Sequence, residues 1–194
     1  MKKKANPYSK PDRFTRQAKE EGYAARSVFK LKEIQASARI LRQGQRVVDL
    51  GCAPGSWTTY AREVVGGGGR VVGVDINEPA DLVKSVLEVE PEELVAALGG
   101  RADVVLSDMA PLTTGDPTGD HFIQIELATR ALTLARAVLA PGGAFVCKVF
   151  DGQDAQAFVA DVKSSFQTVK RAKPEAVRQS SREFFVVATG FKAT

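Results

Sequence analysis

The chain has little of what marks metal centres, disulfide scaffolds or membrane spans. Its 194 residues include 2 Cys, 1 His and 1 Trp. So few cysteines exclude a disulfide framework. Cys52 and Cys147 lie far apart and His121 is the sole histidine, so no metal is expected. No Pro-Cys motif offers a thiolate for attack on a pyrimidine ring, and both cysteines read as small buried side chains. There is no apolar run of roughly 20 residues to cross a membrane. The basic start at Met1-Lys2-Lys3-Lys4 is followed by no apolar core of a secretory signal. These absences point to a reducing, cytoplasmic setting with no membrane partner.

What is present suits one soluble globular domain, 44% hydrophobic and 26% charged with 17 Gly. The net charge of +4 hides an uneven distribution. Residues 1–32 carry ten basic and three acidic side chains, residues 33–162 ten and eighteen, and residues 163–194 seven and two. Two basic ends around an acidic middle suit a polyanion gripped by the ends. Residues 1–12 read as a flexible basic arm. Residues 13–194 read as one domain whose helical extension runs to about residue 43. Tyr8, Phe14 and Tyr23, interleaved with Lys10, Arg13, Arg16, Lys19 and Arg26, offer stacking surfaces among phosphate-binding cations.

The apolar pattern predicts a helical stretch over 14–37. Strands follow at 46–50, 70–74, 103–107, 144–150, 168–172 and 183–189, with helices at 56–65, 80–98, 122–139 and 155–166. Short continuous Val-rich runs alternating with helices predict an α/β fold, a mostly parallel, doubly wound sheet. The last two strands are joined by about ten polar residues, too few for a right-handed crossover, so they should pair antiparallel. Glu183 then opens its strand on the edge where the parallel strands end, which is where such sheets bind ligands.

The first strand runs into Asp49-Leu50-Gly51-Cys52-Ala53-Pro54-Gly55-Ser56-Trp57. Gly51 and Gly55 permit close backbone approach, and the helix that follows offers free N–H groups. The spacing is Gly-x-x-x-Gly, so it is neither the dinucleotide fingerprint nor a P-loop. Asp49 suits the cationic amino-acid end of a ligand, and Asp75, closing the second strand, suits the hydroxyls of a ribose. Trp57, in the first helical turn, is placed to flank that ligand or to pack.

Together these features resemble the S-adenosylmethionine-dependent methyltransferases. Lys30 in Val28-Phe29-Lys30-Leu31, Asp108 in Ser107-Asp108-Met109-Ala110-Pro111, Lys148 within Phe145 to Phe150, and Glu183 after Ser181-Arg182 follow in the order of the catalytic tetrad of the FtsJ/RrmJ family of RNA ribose 2'-O-methyltransferases. The resemblance runs from about residue 23 to 192. It implies a Rossmann-like methyltransferase fold, S-adenosyl-L-methionine bound by Asp49, Gly51, Gly55, Trp57, Asp75 and Asp108, and catalysis by Lys30, Asp108, Lys148 and Glu183. It further implies methylation of a uridine 2'-hydroxyl in the A-loop of 23S ribosomal RNA within the large subunit, by a monomer.

Lys148 interrupts an apolar strand, and an unpaired buried ammonium costs several kcal/mol, so partners must lie close. Asp108 and Glu183 are the candidates. A 2'-hydroxyl is a very weak acid, so Lys148 serves either as its base or to orient it. Glu183 would position Lys148 or the ribose. The chain departs from the family after the third strand, where an acidic residue usually holds the adenine amino group; Glu90 is the stand-in. The loop 112–115 lacks the Asn that often follows Pro111. Rival readings are a nucleotide-dependent oxidoreductase, disfavoured by the glycine spacing, a methyltransferase of transfer or other RNA, and a non-catalytic RNA-binding assembly factor.

Overall fold

The computed structural model describes residues 12–111 and 116–193. Two helices, α1 (Arg13–Glu20) and α2 (Val28–Ala38), precede a sheet built from β1 (Arg46–Leu50), β2 (Arg70–Asp75), β3 (Leu82–Val83), β4 (Ala102–Ser107), β5 (Leu139–Phe150), β6 (Phe166–Ala172) and β7 (Glu183–Phe191). The connecting helices are α3 (Ser56–Val65), α4 (Pro91–Leu98), α5 (Pro117–Val138) and α6 (Ala155–Ser165). The strand order is β3-β2-β1-β4-β5-β7-β6. β1 to β5 run parallel, while β7 inserts antiparallel between β5 and β6. This is the expected Rossmann-like sheet with its antiparallel last strand.

Two expected helices differ. The stretch over 14–37 is broken, because Gly22 takes φ +81° and the Gly22 and Tyr23 N–H groups close onto Lys19 and Ala18 carbonyls. Such a left-handed residue ends a helix. The helix expected over 80–98 starts only at Pro91, with β3 and a turn before it. Proline lacks an N–H and disfavours helical geometry in the preceding residue, so it sits at the first helical position, and Glu90 is extended at φ −94°, ψ 148°. Of the arm expected over 1–12, Asp12 is fixed rather than flexible, capping α1 by accepting from Thr15 N and pairing with Arg26, while residues 1–11 and the loop 112–115 lie outside the described residues.

Side chains alternate across the strands and divide the core. Val105, Phe145, Cys147 and Val186 face one layer with α4, α5 and α6 residues. Leu106, Val146 and Phe185 face the other, packed with Trp57 of α3 and Leu31 and Ile34 of α2. This second face, continued past the strand ends, carries the site.

Candidate functional site

Asp108 lies two positions beyond Leu106, Lys148 two beyond Val146, and Glu183 two before Phe185. Leu106 pairs with Val146, Lys148 with Phe185 and Phe150 with Glu183. Alternation therefore delivers all three polar side chains to the same face as the apolar residues beneath them. Helix α2 lies over that face, and Lys30 comes down from it.

The four side chains form a chain of alternating charge. Glu183 Oε1 lies 2.6 Å from Lys30 Nζ, which lies 3.8 Å from Asp108 Oδ1, which lies 3.1 Å from Lys148 Nζ. Lys148 Nζ also donates to the Asp108 main-chain carbonyl at 2.7 Å. Side-chain exposure is 7% for Lys148 and 16% for Asp108, so charge compensation is needed and is supplied. Asp108 thus partners Lys148 as expected. Glu183 pairs with Lys30 instead, because β7 brings it opposite Phe150, a pleat beyond Lys148.

Behind this chain lies an acidic cradle formed where β1, β2 and β4 end. Asp49 is 1% exposed and accepts from Thr58 Oγ1 at 2.6 Å. Burial, partly offset by that hydrogen bond and reinforced by the charges of Asp108 and Asp75, pushes its carboxyl up to about 7. Asp75 accepts from the Ala53 and Asn77 N–H groups and so shapes the glycine loop. Gly51 (φ +75°) and Gly55 (φ +98°) take conformations that side chains disfavour, and a Cβ at Gly51 would stand 2.3 Å from Met109 Cγ. Trp57 is 3% exposed: its indole N–H donates to Ser27 O and its ring packs 5.7 Å from Phe185. Its visible work is to hold α2 and β7 together. Glu90 begins α4 in a capping box with Glu93. Burial pushes the Cys52 and Cys147 thiols up to about 12, as befits inert core residues.

Several residues escaped the sequence reading. Gln124 of α5 is 1% exposed and donates to Lys148 O while accepting from Phe150 N, fixing the carboxyl end of β5. Glu33 of α2 accepts the Glu175 and Ala176 N–H groups, tying the β6–β7 connection to α2. Neither has a local sequence signal, since each acts across a long separation. Phe14 and Tyr23 make internal contacts: Phe14 packs on Phe29 beneath Arg13 and Arg26, and Tyr23 donates to Glu63. A cleft of about 340 Å³ opens beside the charged chain, lined by Arg26, Lys30, Arg178, Ser180 and Glu183 among others. Burial, together with the guanidinium of Arg178, holds Arg26 below the usual arginine value.

Residues 23–191 match the family model for FtsJ-like methyltransferases. A Desulfosudis oleivorans protein named Ribosomal RNA large subunit methyltransferase E is 47% identical, over 91% of this chain and 89% of its own. A Sorangium cellulosum protein of the same name is 45% identical over 98% and 93%. Among solved structures, a putative ribosomal RNA methyltransferase from Plasmodium falciparum superposes with a TM-score of 0.72 at 25% identity, covering 87% of this chain and 98% of that one.

Proposed function

Since the chain belongs to the FtsJ-like methyltransferase family, we propose that it moves the methyl group of S-adenosyl-L-methionine to the ribose 2'-oxygen of a uridine in 23S ribosomal RNA of the large subunit. The observation that carries this reading is the Glu183–Lys30–Asp108–Lys148 chain of alternating charge at the rim of an acidic cradle. The reading is also supported by the relatives named as large-subunit methyltransferases. The A-loop is the expected target within that RNA.

The cradle fits the donor. Asp49, Asp75 and Asp108 stand close enough that the last two raise the first. Such a set attracts a cationic ligand and repels the pyrophosphate of a dinucleotide, which weighs against the oxidoreductase reading. Asp49 and Asp108 would hold the amino-acid end, Asp75 the ribose hydroxyls, and the Gly51–Gly55 turn would let the main chain close on it. S-adenosyl-L-methionine supplies an activated methyl group on its sulfonium, so the protein contributes alignment and proton handling.

Lys148 Nζ donates to the Asp108 main-chain carbonyl and stands in ionic contact with Asp108 Oδ1, which leaves a position of that nitrogen open to the 2'-oxygen. A hydrogen there orients the hydroxyl; a lone pair there takes its proton. Glu183 and Lys30 lock the opposite end of the chain and hold Asp108 from the far side. Arg26, held by Asp12 and the Ala176 carbonyl, and Arg178 line the approach for the RNA backbone. The basic residues Lys2, Lys3, Lys4 and Lys10 would extend that grip. Incubation with methyl-labelled S-adenosyl-L-methionine and separate large-subunit, small-subunit and transfer RNA tests the reading. Label is expected in the large-subunit RNA; label confined to transfer RNA would redirect the substrate, and label in none would point to the non-catalytic alternative.

A further inference from the structure

A second cleft, of about 530 Å³, opens on the other side of the Ser181–Glu183 ridge, between the carboxyl end of β5 and the β6–β7 edge. Its size lies within the roughly 300–1,000 Å³ usual for small-molecule sites. The cleft is lined by Asp151, Arg171, Lys173, Arg182 and Phe184, and it shares Ser181 and Glu183 with the cleft beside Lys30. The guanidinium carbon of Arg171 sits 3.7 Å from the centre of the Phe184 ring, at stacking distance, and Arg171 Nη2 donates to Asp151 Oδ1 at 2.9 Å. Phe184 is 4% exposed, so Arg171 roofs it, while the Arg171 side chain keeps 45% of its own surface open. Lys173 and Arg182 are exposed and have no ion-pair partner among the described residues.

An arginine braced from below by an aromatic ring and from the side by a carboxylate presents a fixed planar surface, and such surfaces stack nucleobases. Two unpaired cations beside it suit a phosphodiester. We propose that this cleft is a second RNA subsite, which holds a nucleotide flanking the methylated one: its base stacks on the outer face of Arg171 and its phosphate lies against Lys173 and Arg182. This rests on the RNA reading above. The ridge between the clefts then parts target and neighbour, so that the strand turns over Glu183 and offers a single ribose to Lys148.

The full chain is tested in two ways. Methylation of large ribosomal subunits lacking the modification gives KM and kcat, and anisotropy of a labelled single-stranded RNA 12-mer gives Kd against salt. Arg171→Lys keeps the charge and loses the planar stack; it should raise both KM and Kd about tenfold, as loss of a base stack does, with kcat retained. Lys173→Ala with Arg182→Ala should flatten the logarithmic salt slope by about 1.4. Unchanged thermal unfolding and S-adenosylhomocysteine affinity in both variants exclude a merely structural effect. KM and Kd within about twofold of wild type, together with an unchanged salt slope, would overturn the subsite, as would a KM effect on subunits with no effect on the 12-mer, which would indicate a ribosomal protein. RNA binding that depends on Arg171 in a wild type that methylates no RNA would refute the parent reading and leave the subsite standing. Absence of both binding and methylation would refute the two together.

Discussion

Replacing Asp49 by Asn removes the most deeply buried carboxylate of the cradle with little change in shape. Asp49 is 1% exposed and its carboxyl is raised from 3.8 to about 7, first by burial and then by Asp108 and Asp75. That difference corresponds to about 4 kcal/mol. Because the folded form binds the proton more tightly than the unfolded chain, this group's contribution is fully present below about pH 4 and is lost as pH rises to about 7. The Asn side chain can still accept from Thr58 and carries no charge. The stability of Asp49→Asn relative to wild type should therefore climb by up to about 4 kcal/mol between about pH 4 and pH 7, then level off. Urea unfolding followed by the fluorescence of Trp57, the only tryptophan, measures it. A cationic ligand should also ionise Asp49, so calorimetry in buffers of different ionisation enthalpy should show proton release when S-adenosyl-L-methionine binds to wild type below about pH 7, and none in the variant. A stability difference that does not change with pH, with no proton release, would refute this description of the cradle.

Gln124→Leu removes the hydrogen bonds to Lys148 O and from Phe150 N. It should cost about 2 kcal/mol, or about 6 °C in Tm, and lower kcat more than cofactor affinity; differential scanning calorimetry and initial rates check both. Glu33→Ala frees the Glu175 and Ala176 N–H groups. The β6–β7 connection should loosen at a cost of about 1 kcal/mol, seen as faster amide exchange over 173–182 and a raised KM for RNA. Removing residues 1–11, which keeps the Asp12 cap of α1 and its pairing with Arg26, should weaken RNA binding and flatten its salt dependence while leaving calorimetric cofactor affinity unchanged; unaltered RNA binding would make the arm a solubilising tail.

The strand-borne part of the site was legible in the sequence because strand alternation is local. Asp108, Lys148 and Glu183 each stand two positions from an apolar residue that faces the α2 side, so a correct strand assignment already puts them on one face. Lys148 announced itself as a cation within an apolar run. The partnership of Glu183 with Lys30 was not legible, because it depends on the register of β7 against β5 and on the path of α2 across the sheet. The apolar spacing at 80–98 misled in the same way: Leu82, Val83, Val86 and Val89 are compatible with a helix face, and Pro91 alone marks where the helix begins. Arg171 on Phe184 was equally invisible, since the pair exists only once β6 and β7 align side by side.

The central claim is that Lys148 directs methyl transfer to a ribose oxygen. The most direct test gives wild type and Lys148→Ala the same unmethylated large subunits and labelled S-adenosyl-L-methionine, then digests the RNA with alkali, which cannot cleave next to a 2'-O-methyl group. Wild type should yield the label in a single alkali-resistant dinucleotide with a uridine at its 5' side, and Lys148→Ala should yield none while binding S-adenosylhomocysteine about as tightly. Label released as mononucleotide, or near-wild-type turnover by Lys148→Ala, would contradict the account.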